Sequence, residues 1–178
     1  KDFKRYKFTS DGVSPRALPG MENGLHLVES NEHNERGYRD EDPENRIRMM
    51  QKRMKKLKSA TKDLIPPKIW GKRDAEIGII GCGSTFGPIQ EAIIQLEKKG
   101  IRAKYLQVRT LWPFASKRVE EFITTCKEIF FVENNFSSQL SLLLKSQVRL
   151  PFDVKNILKY SGQAFRPHEI SSQIHKAL

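Results

Sequence analysis

The chain has 178 residues, of which 38% are hydrophobic and 30% charged, and a formal net charge of +11. This length accommodates one sizeable α/β domain with additional material, and the polar composition restricts the core to part of the chain. No apolar run approaches the ~20 residues of a membrane span, and no signal-peptide pattern opens the sequence, so we expect a soluble, cytoplasmic protein. The two cysteines lack partners at metal-ligand spacing, so we expect no metal site.

Charge is distributed unevenly along the sequence. Residues 29–45 carry seven acids against two arginines, whereas residues 46–73 carry 11 lysines and arginines against one acid. An acidic segment is therefore followed by a basic one. No aromatic residues interleave with the basic ones for base stacking, so a charged outer helix face explains the pattern better than a nucleic-acid site.

Residues 1–41 are predicted to form an irregular, extended arm. The stretch "SDGVSPRALPGMENG" is rich in Gly, Pro, Ser and Asn and shows no sustained period, so it becomes ordered only against another surface. Arg16 lies between Pro15 and Pro19, where a guanidinium held away from the chain can bind a carboxylate or phosphate bidentately. Ser14 and Arg16 are therefore candidate site residues, and a solvated linker charge is the alternative.

Residues 42–73 are predicted to contain one long basic helix, 42–64, followed by a Pro-rich linker. Asp42 is suited to cap this helix, and Pro43 to occupy its first position. The apolar positions give a narrow seam, so we expect the helix to pack against one neighbour and to lie across an acidic surface, such as the preceding acidic segment. The seam consists of Ile47, Met50, Met54, Leu57 and Leu64.

Residues 74–178 are predicted to form an α/β domain of three layers. Strands alternate with helices, which indicates a mostly parallel sheet covered by helices on both faces. The predicted strands are "AEIGIIG", "IRAKYLQVR", "EIFFVEN" and "NILKY", and the predicted helices cover 85–99, 116–125, "SQLSLLLKSQV" and "PHEISSQIHKAL".

A glycine-rich loop follows the first predicted strand of this domain. Gly81, Gly83 and Gly87 are spaced one residue wider than the dinucleotide-binding fingerprint, and the next strand lacks an acidic residue for a ribose hydroxyl. The favoured interpretation is a tight turn in which Ser84 caps the helix. Exposed amides at a helix start can also hold an anion, so Gly83, Ser84 and Thr85 remain candidates for an anion or interface site.

Two further loops are predicted at the same edge of the sheet. In "VENNFSSQL", Glu133, Asn134 and Gln139 place polar groups where open α/β sheets bind ligands or partners, and helix capping by Ser137 or Ser138 is the alternative. In "RTLWPF", Trp112 and its apolar neighbours are bulky for an exposed loop. This favours a contact with another chain or domain, although the loop can also cover helix ends of its own domain.

Six stretches occur in order along the chain: "DGVSPRALPG", "EHNERGY", "EDPENRIRMMQKRMKKL", "GCGSTFGPIQEAI", "VRTLWPF" and "VENNFSSQL". Together they resemble the carboxyl-terminal part of the alpha subunit of 2-oxoacid:ferredoxin oxidoreductases, more closely the 2-oxoglutarate type than the pyruvate type. The resemblance covers nearly the whole chain. It implies that residues 74–178 adopt the transketolase carboxyl-terminal fold.

The resemblance also implies the activity of a larger enzyme. Such an enzyme oxidatively decarboxylates a 2-oxoacid to an acyl-CoA and passes the electrons to ferredoxin, using thiamine diphosphate, Mg²⁺, iron–sulfur clusters and coenzyme A. Its partners are a beta subunit, with gamma and delta subunits in some members, and an oligomeric complex is expected. The sequence does not indicate which 2-oxoacid is used.

Within that enzyme, this chain is expected to be a fragment with a structural and assembly role and no catalytic residues of its own. Two distant cysteines cannot hold a cubane cluster, and no acidic Mg²⁺ motif is present, so no cofactor is expected to bind this chain. The resemblance puts Ser14 and Arg16 near the approach to the active site, where they would meet substrate or coenzyme A. The alternative function is a stand-alone α/β module that binds a nucleotide or an acidic partner.

Overall fold

The computed structural model describes residues 2–150 and 153–178 of the chain. The chain divides into two units, Lys1–Leu64 and Ile65–Leu178, called here the N-terminal unit and the sheet unit. Lys1 falls in the predicted arm, and Pro151 and Phe152 fall in the predicted α/β domain. These three residues lie outside the described part.

The sheet unit is built on five strands in the order β1-β3-β2-β4-β5. Strands β2 to β5 run parallel to their neighbours, and β1 pairs with β3 in the antiparallel direction at one edge. The strands are β1 (Lys68–Gly71), β2 (Ile77–Cys82), β3 (Ala103–Val108), β4 (Glu128–Glu133) and β5 (Lys155–Leu158).

Helices cover both faces of this sheet, which confirms the predicted α/β architecture. One face packs against α2 and α5, and the other against α3 and α4. Their bounds are α2 (Phe86–Glu97, after a 3₁₀ turn at Gly83–Thr85), α3 (Ser116–Ile123), α4 (Gln139–Gln147) and α5 (Pro167–Ala177), and α1 (Pro43–Ala60) belongs to the N-terminal unit.

Successive side chains of the central strands point to opposite faces of the sheet and contribute to two apolar cores, one on each face. Ile79 and Phe130 face α2 and α5, whereas the next residues along each strand, Ile80 and Phe131, face α3 and α4. All four side chains are fully buried. Near-continuous apolar runs are what a parallel sheet with two covered faces requires, because successive side chains point to opposite faces.

Two boundaries differ from the sequence-based expectation. The segment expected to be a linker up to Arg73 contains β1, which was missed because an edge strand has only one partly buried position, Trp70, and so shows little alternation. Helix α1 ends at Ala60, not near Leu64. The Thr61 hydroxyl donates to the Lys58 carbonyl, and the backbone then turns out of the helix.

The arm of the N-terminal unit packs against α1. Asp42 caps the helix as predicted, since its side chain accepts a hydrogen bond of 3.0 Å from the Asn45 amide. Gly12 has a φ of +80°, and a Cβ there would lie 2.6 Å from the Lys52 carbonyl oxygen. Only glycine permits both this backbone conformation and this close approach without strain.

The face of α1 that contacts the arm is not the predicted seam. Met49 is buried, and Arg53 forms an ion pair of 2.6 Å with Glu32 of the acidic segment. The seam positions Ile47 and Met54 are exposed. The expected contact between helix and acidic segment is therefore present, and it uses a charged face of the helix, where Arg46 and Arg53 pair with Glu32.

Within the described residues, none of the helices combines the length and the apolar character needed to cross a bilayer.

Candidate functional site

The carboxyl ends of the parallel strands meet at one edge of the sheet, as predicted. The loops that follow β2, β3 and β4 contain nearly all the candidate residues of the sheet unit. This edge is where open α/β sheets bind ligands or partners.

The glycine-rich loop after β2 is a structural turn. A Cβ on Gly81 would lie 2.8 Å from Thr85 Oγ1 and 2.9 Å from Ile89 Cδ1, so glycine is needed there for close packing of strand against helix. Thr85 is buried, and its hydroxyl donates to the Cys82 carbonyl at 2.9 Å. The prediction that Ser84 caps α2 is wrong. Ser84 is exposed, and among the described residues no side chain caps this helix.

Glu133 at the end of β4 has a structural role. Its carboxylate is only 4% exposed and accepts hydrogen bonds from the amides of Leu140, at 2.8 Å, and Ser141, at 3.0 Å. It therefore caps α4, the role predicted for Ser137 or Ser138. Ser138 adopts a left-handed backbone conformation with a φ of 54° and its side chain does not cap the helix. The first amide of α4, that of Gln139, donates to Asn135 Oδ1 at 3.2 Å, and the next two donate to the strand-end carboxylate.

The exposed part of this edge is polar and aromatic, and it includes the exposed Arg109 directly after β3. Asn134 and Gln139 are exposed, and Trp112 is 59% exposed, whereas Phe114 of the same loop packs into the core. Sequence reasoning missed an exposed pair, Phe136 at 73% and Tyr160 at 65%, whose rings lie edge to face with centroids 4.9 Å apart. Such a surface offers contact area and hydrogen bonds, not acid–base chemistry.

The Cys82 thiol also lies near this edge, at the end of β2. Burial raises its pKa above the ordinary value, and the negative charge of Glu133 raises it further. The thiol therefore stays protonated and poorly nucleophilic at neutral pH.

Ser14 and Arg16 lie elsewhere, in a cavity of the N-terminal unit of about 570 Å³. Ser14 Oγ donates to the Lys7 carbonyl at 3.0 Å, and Arg16 is exposed on the rim. The sequence pointed to Arg16 alone and not to the positive charge that the fold gathers around it. We call this the cationic cavity, after its five basic lining residues: Arg5, Arg16, Lys52, Arg53 and Lys56.

The donor sets available in this chain do not fit a metal or a cluster. Among residues 2–150 and 153–178 no three His, Cys, Asp or Glu side chains lie close enough together to hold an ion. Cys82 ends β2, and Cys126 precedes β4, so the two thiols lie toward opposite ends of parallel neighbouring strands. A thiolate-ligated cluster needs its sulfurs around one point.

The sheet unit is a mostly parallel α/β domain in which the glycine-rich loop is a structural turn. The family model for the pyruvate:ferredoxin oxidoreductase core domain II matches residues 75–170. The chain therefore belongs to that family, and the family resemblance found in the sequence motifs is confirmed.

Individual relatives agree with this assignment. The alpha subunit of 2-oxoacid:ferredoxin oxidoreductase 2 of Aeropyrum pernix is 34% identical over 99% of this chain, which spans 28% of that subunit's length. Among solved structures, the chain is similar to the 2-oxoglutarate:ferredoxin oxidoreductase from Magnetococcus marinus with 2-oxoglutarate, coenzyme A and succinyl-CoA bound. The match has a TM-score of 0.84 and 30% sequence identity, and it covers 99% of this chain and 31% of that one.

A solved split-gene transketolase shares the fold alone. It has a TM-score of 0.51 and 17% identity, and the match covers 64% of this chain and 41% of the transketolase chain. The transketolase-like fold predicted for residues 74–178 is confirmed in this sense.

Proposed function

We propose that this chain is a structural and assembly region of the alpha subunit of a 2-oxoacid:ferredoxin oxidoreductase. The complete enzyme would oxidise 2-oxoglutarate or a related 2-oxoacid to an acyl-CoA and reduce ferredoxin. Mg²⁺ and iron–sulfur clusters would be held elsewhere in the enzyme, because no three His, Cys, Asp or Glu side chains lie together among the described residues. The family resemblance assigns thiamine diphosphate to other domains of the enzyme. Further subunits, including a beta subunit, would complete an oligomeric complex.

The observation that carries the assembly role is the exposed aromatic edge of the sheet. Trp112, Phe136 and Tyr160 present large apolar rings to solvent at the carboxyl ends of β3, β4 and β5. Exposed aromatic residues are typical of the centre of protein–protein interfaces, and arginine is also enriched there. We therefore assign this edge as the contact surface toward another domain or subunit of the enzyme, with Gly83, Ser84, Asn134 and Gln139 beside the rings.

The arm would have a second role in the same enzyme. We assign Ser14 and Arg16 to the approach of the active site, where Arg16 would meet an anionic group of the 2-oxoacid or of coenzyme A. Its exposure on the rim of the cationic cavity supports this assignment, since the guanidinium is free to form bidentate hydrogen bonds.

The assembly role is tested with the double variant Trp112→Ser and Phe136→Ser in the complete alpha subunit, co-expressed with its partner subunits. We expect recovery of the intact complex to fall about tenfold, because interface aromatics contribute most of the binding free energy. The readout is the native mass of the purified complex, together with ferredoxin reduction supported by 2-oxoglutarate and by pyruvate.

The matched control is Ile94→Ser, which removes an exposed apolar side chain from the middle of α2. If the double variant assembles as well as this control, the aromatic edge is not an interface. A wild-type complex that reduces ferredoxin with neither oxoacid would contradict the enzyme assignment itself.

A further inference from the structure

The cationic cavity is held open by the way the arm packs on α1. Met49 and the stacked rings of Tyr6 and His33, whose centroids are 3.9 Å apart, form part of its lining. Gly12, pressed against the backbone of Lys52, fixes the arm at the cavity margin. Buried and stacked groups therefore form part of the cavity wall, alongside the basic side chains.

Positive charge in this cavity greatly exceeds the negative charge available to neutralise it. Arg53 is satisfied by Glu32, with hydrogen bonds of 3.1 Å and 2.6 Å from its two terminal nitrogens. The other four basic residues have no carboxylate within ion-pair distance in the part of the chain that the structure describes: Arg5, Arg16, Lys52 and Lys56.

Lys52 is half-buried beside the other cations of the cavity. Burial lowers the pKa of the Lys52 ammonium, and the neighbouring cations of the cavity lower it further. Glu35 acts in the opposite direction but more weakly, and its carboxylate already accepts hydrogen bonds from Lys4 and the Phe8 amide. Like charges gathered without a partner favour the binding of an anion from outside.

We propose that the cationic cavity binds a small anion that carries two or more phosphate groups. Its volume of about 570 Å³ lies in the range of small-molecule pockets and exceeds what a single phosphate fills. Four unpaired cations are more than one carboxylate neutralises, and clustered Lys and Arg are the side chains that bind phosphate. If the ligand is coenzyme A, the inference rests on the proposed function; if it is a free polyphosphate, it does not.

The test measures the binding of inorganic pyrophosphate to the purified complex by calorimetry at fixed ionic strength. The double variant Lys52→Gln and Lys56→Gln removes two cations from the cavity wall. The matched control, Lys55→Gln and Lys58→Gln, makes the same charge change on the same helix at exposed positions that do not line the cavity. We expect the Kd to rise about tenfold or more in the first variant and less than about twofold in the control.

Citrate and coenzyme A are the two further ligands in the experiment. Citrate should bind at least about tenfold more weakly than pyrophosphate, and equal affinity would overturn the choice of phosphate. A parallel loss of coenzyme A affinity in the cavity variant identifies coenzyme A as a source of the phosphates, whereas a loss restricted to pyrophosphate identifies a free polyphosphate.

Two results would overturn the proposal as a whole. One is the absence of saturable pyrophosphate binding to the wild-type complex, and the other is an equal loss of affinity in the cavity variant and the control. Thermal unfolding of both variants checks that they are folded. Because binding is measured without turnover, a complex that binds pyrophosphate but reduces no ferredoxin would contradict the proposed function and leave the cavity assignment intact.

Discussion

The two units of this chain are held together by different interactions. The sheet unit buries apolar side chains on both faces of its sheet, including Ile80 and Phe131, which are fully inaccessible. In the N-terminal unit, Met49 is the only apolar side chain among the described residues to be buried. Its arm is fixed instead by carboxylates, turns and a left-handed glycine.

This difference determines how much stability each unit has in reserve for exposed functional groups. Apolar burial is worth roughly 25 cal/mol per Å², so the sheet unit can expose aromatic rings at its edge and still fold. Neutral hydrogen bonds and exposed ion pairs contribute about 1 kcal/mol each, and hydrogen bonds to charged groups about 1.5–3 kcal/mol. The N-terminal unit therefore depends on a small number of polar contacts and is sensitive to its electrostatics. We expect it to lose structure at a lower denaturant concentration than the sheet unit.

The largest expected effect is in the sheet unit. Phe131→Ala should destabilise it by about 3–5 kcal/mol, because it removes a fully buried aromatic ring and leaves a cavity. Both tryptophans of the chain, Trp70 and Trp112, belong to this unit, so fluorescence-detected urea unfolding reports on it selectively. Phe136→Ala is the control at an exposed position and should change stability by less than about 0.5 kcal/mol. Similar losses for the two variants would contradict the assigned core.

A smaller effect is expected for Glu32→Gln in the N-terminal unit. Hydrogen bonding from Arg53, with the charges of Arg53 and Arg46, holds the pKa of Glu32 below its ordinary value of 4.5, against the effect of burial. The folded state is therefore stabilised above about pH 4.5, and this contribution is lost as the pH falls through the lowered pKa. Neutralising the side chain should cost about 1–3 kcal/mol at neutral pH.

Hydrogen exchange of the α1 amides measures this change, because the tryptophans do not report on the N-terminal unit. The control is Glu41→Gln, whose carboxylate pairs with Arg39 at the surface and should contribute less than about 1 kcal/mol. If exchange of α1 accelerates equally in the two variants, or if the effect of Glu32→Gln persists unchanged at pH 3, the ion pair does not hold the arm.

Local signals in the sequence were sufficient for most of the fold. Asp42 and Pro43 mark the start of α1, and the paired apolar positions Ile79 and Ile80 mark a strand covered on both faces. Each of these signals lies within a few residues of the element that it specifies. The family motifs added the fold of the sheet unit, which spacing alone could not distinguish from other α/β domains.

The features that the sequence did not predict depend on distant contacts. Glu133 caps the second and third amides of α4, which are seven and eight residues away, beyond the usual range of capping motifs. The cationic cavity joins Arg5 to Lys52 across a long separation in sequence, and the packing of Gly12 and the stacking of Tyr6 on His33 are among the contacts that hold the arm there. Charge counts located an acidic and a basic segment but not which cations would be left unpaired.

The smallest expected effect is at Lys52, and it tests whether this residue serves ligand binding or the stability of the fold. Burial lowers the pKa of Lys52 in the folded chain, and Lys56, Arg5 and Arg53 lower it further against the weaker effect of Glu35. Between the folded-state pKa and the higher unfolded-state pKa, the unfolded chain therefore binds more protons than the folded chain. Stability therefore rises with pH through that window, and the charged ammonium is a cost to the fold below it.

Lys52→Met keeps an apolar stem of similar length and should stabilise α1 by a few tenths of a kcal/mol at neutral pH, as measured by hydrogen exchange. The exposed control Lys55→Met should change it less. With saturating pyrophosphate the order should reverse, because a ligand that binds only the folded state stabilises the wild type more than the variant that has lost a phosphate contact. If Lys52→Met destabilises α1 in the absence of ligand, the charge of Lys52 stabilises the fold. The N-terminal unit then does not carry an unfavourable unpaired charge at this position, and the comparison with the sheet unit fails there.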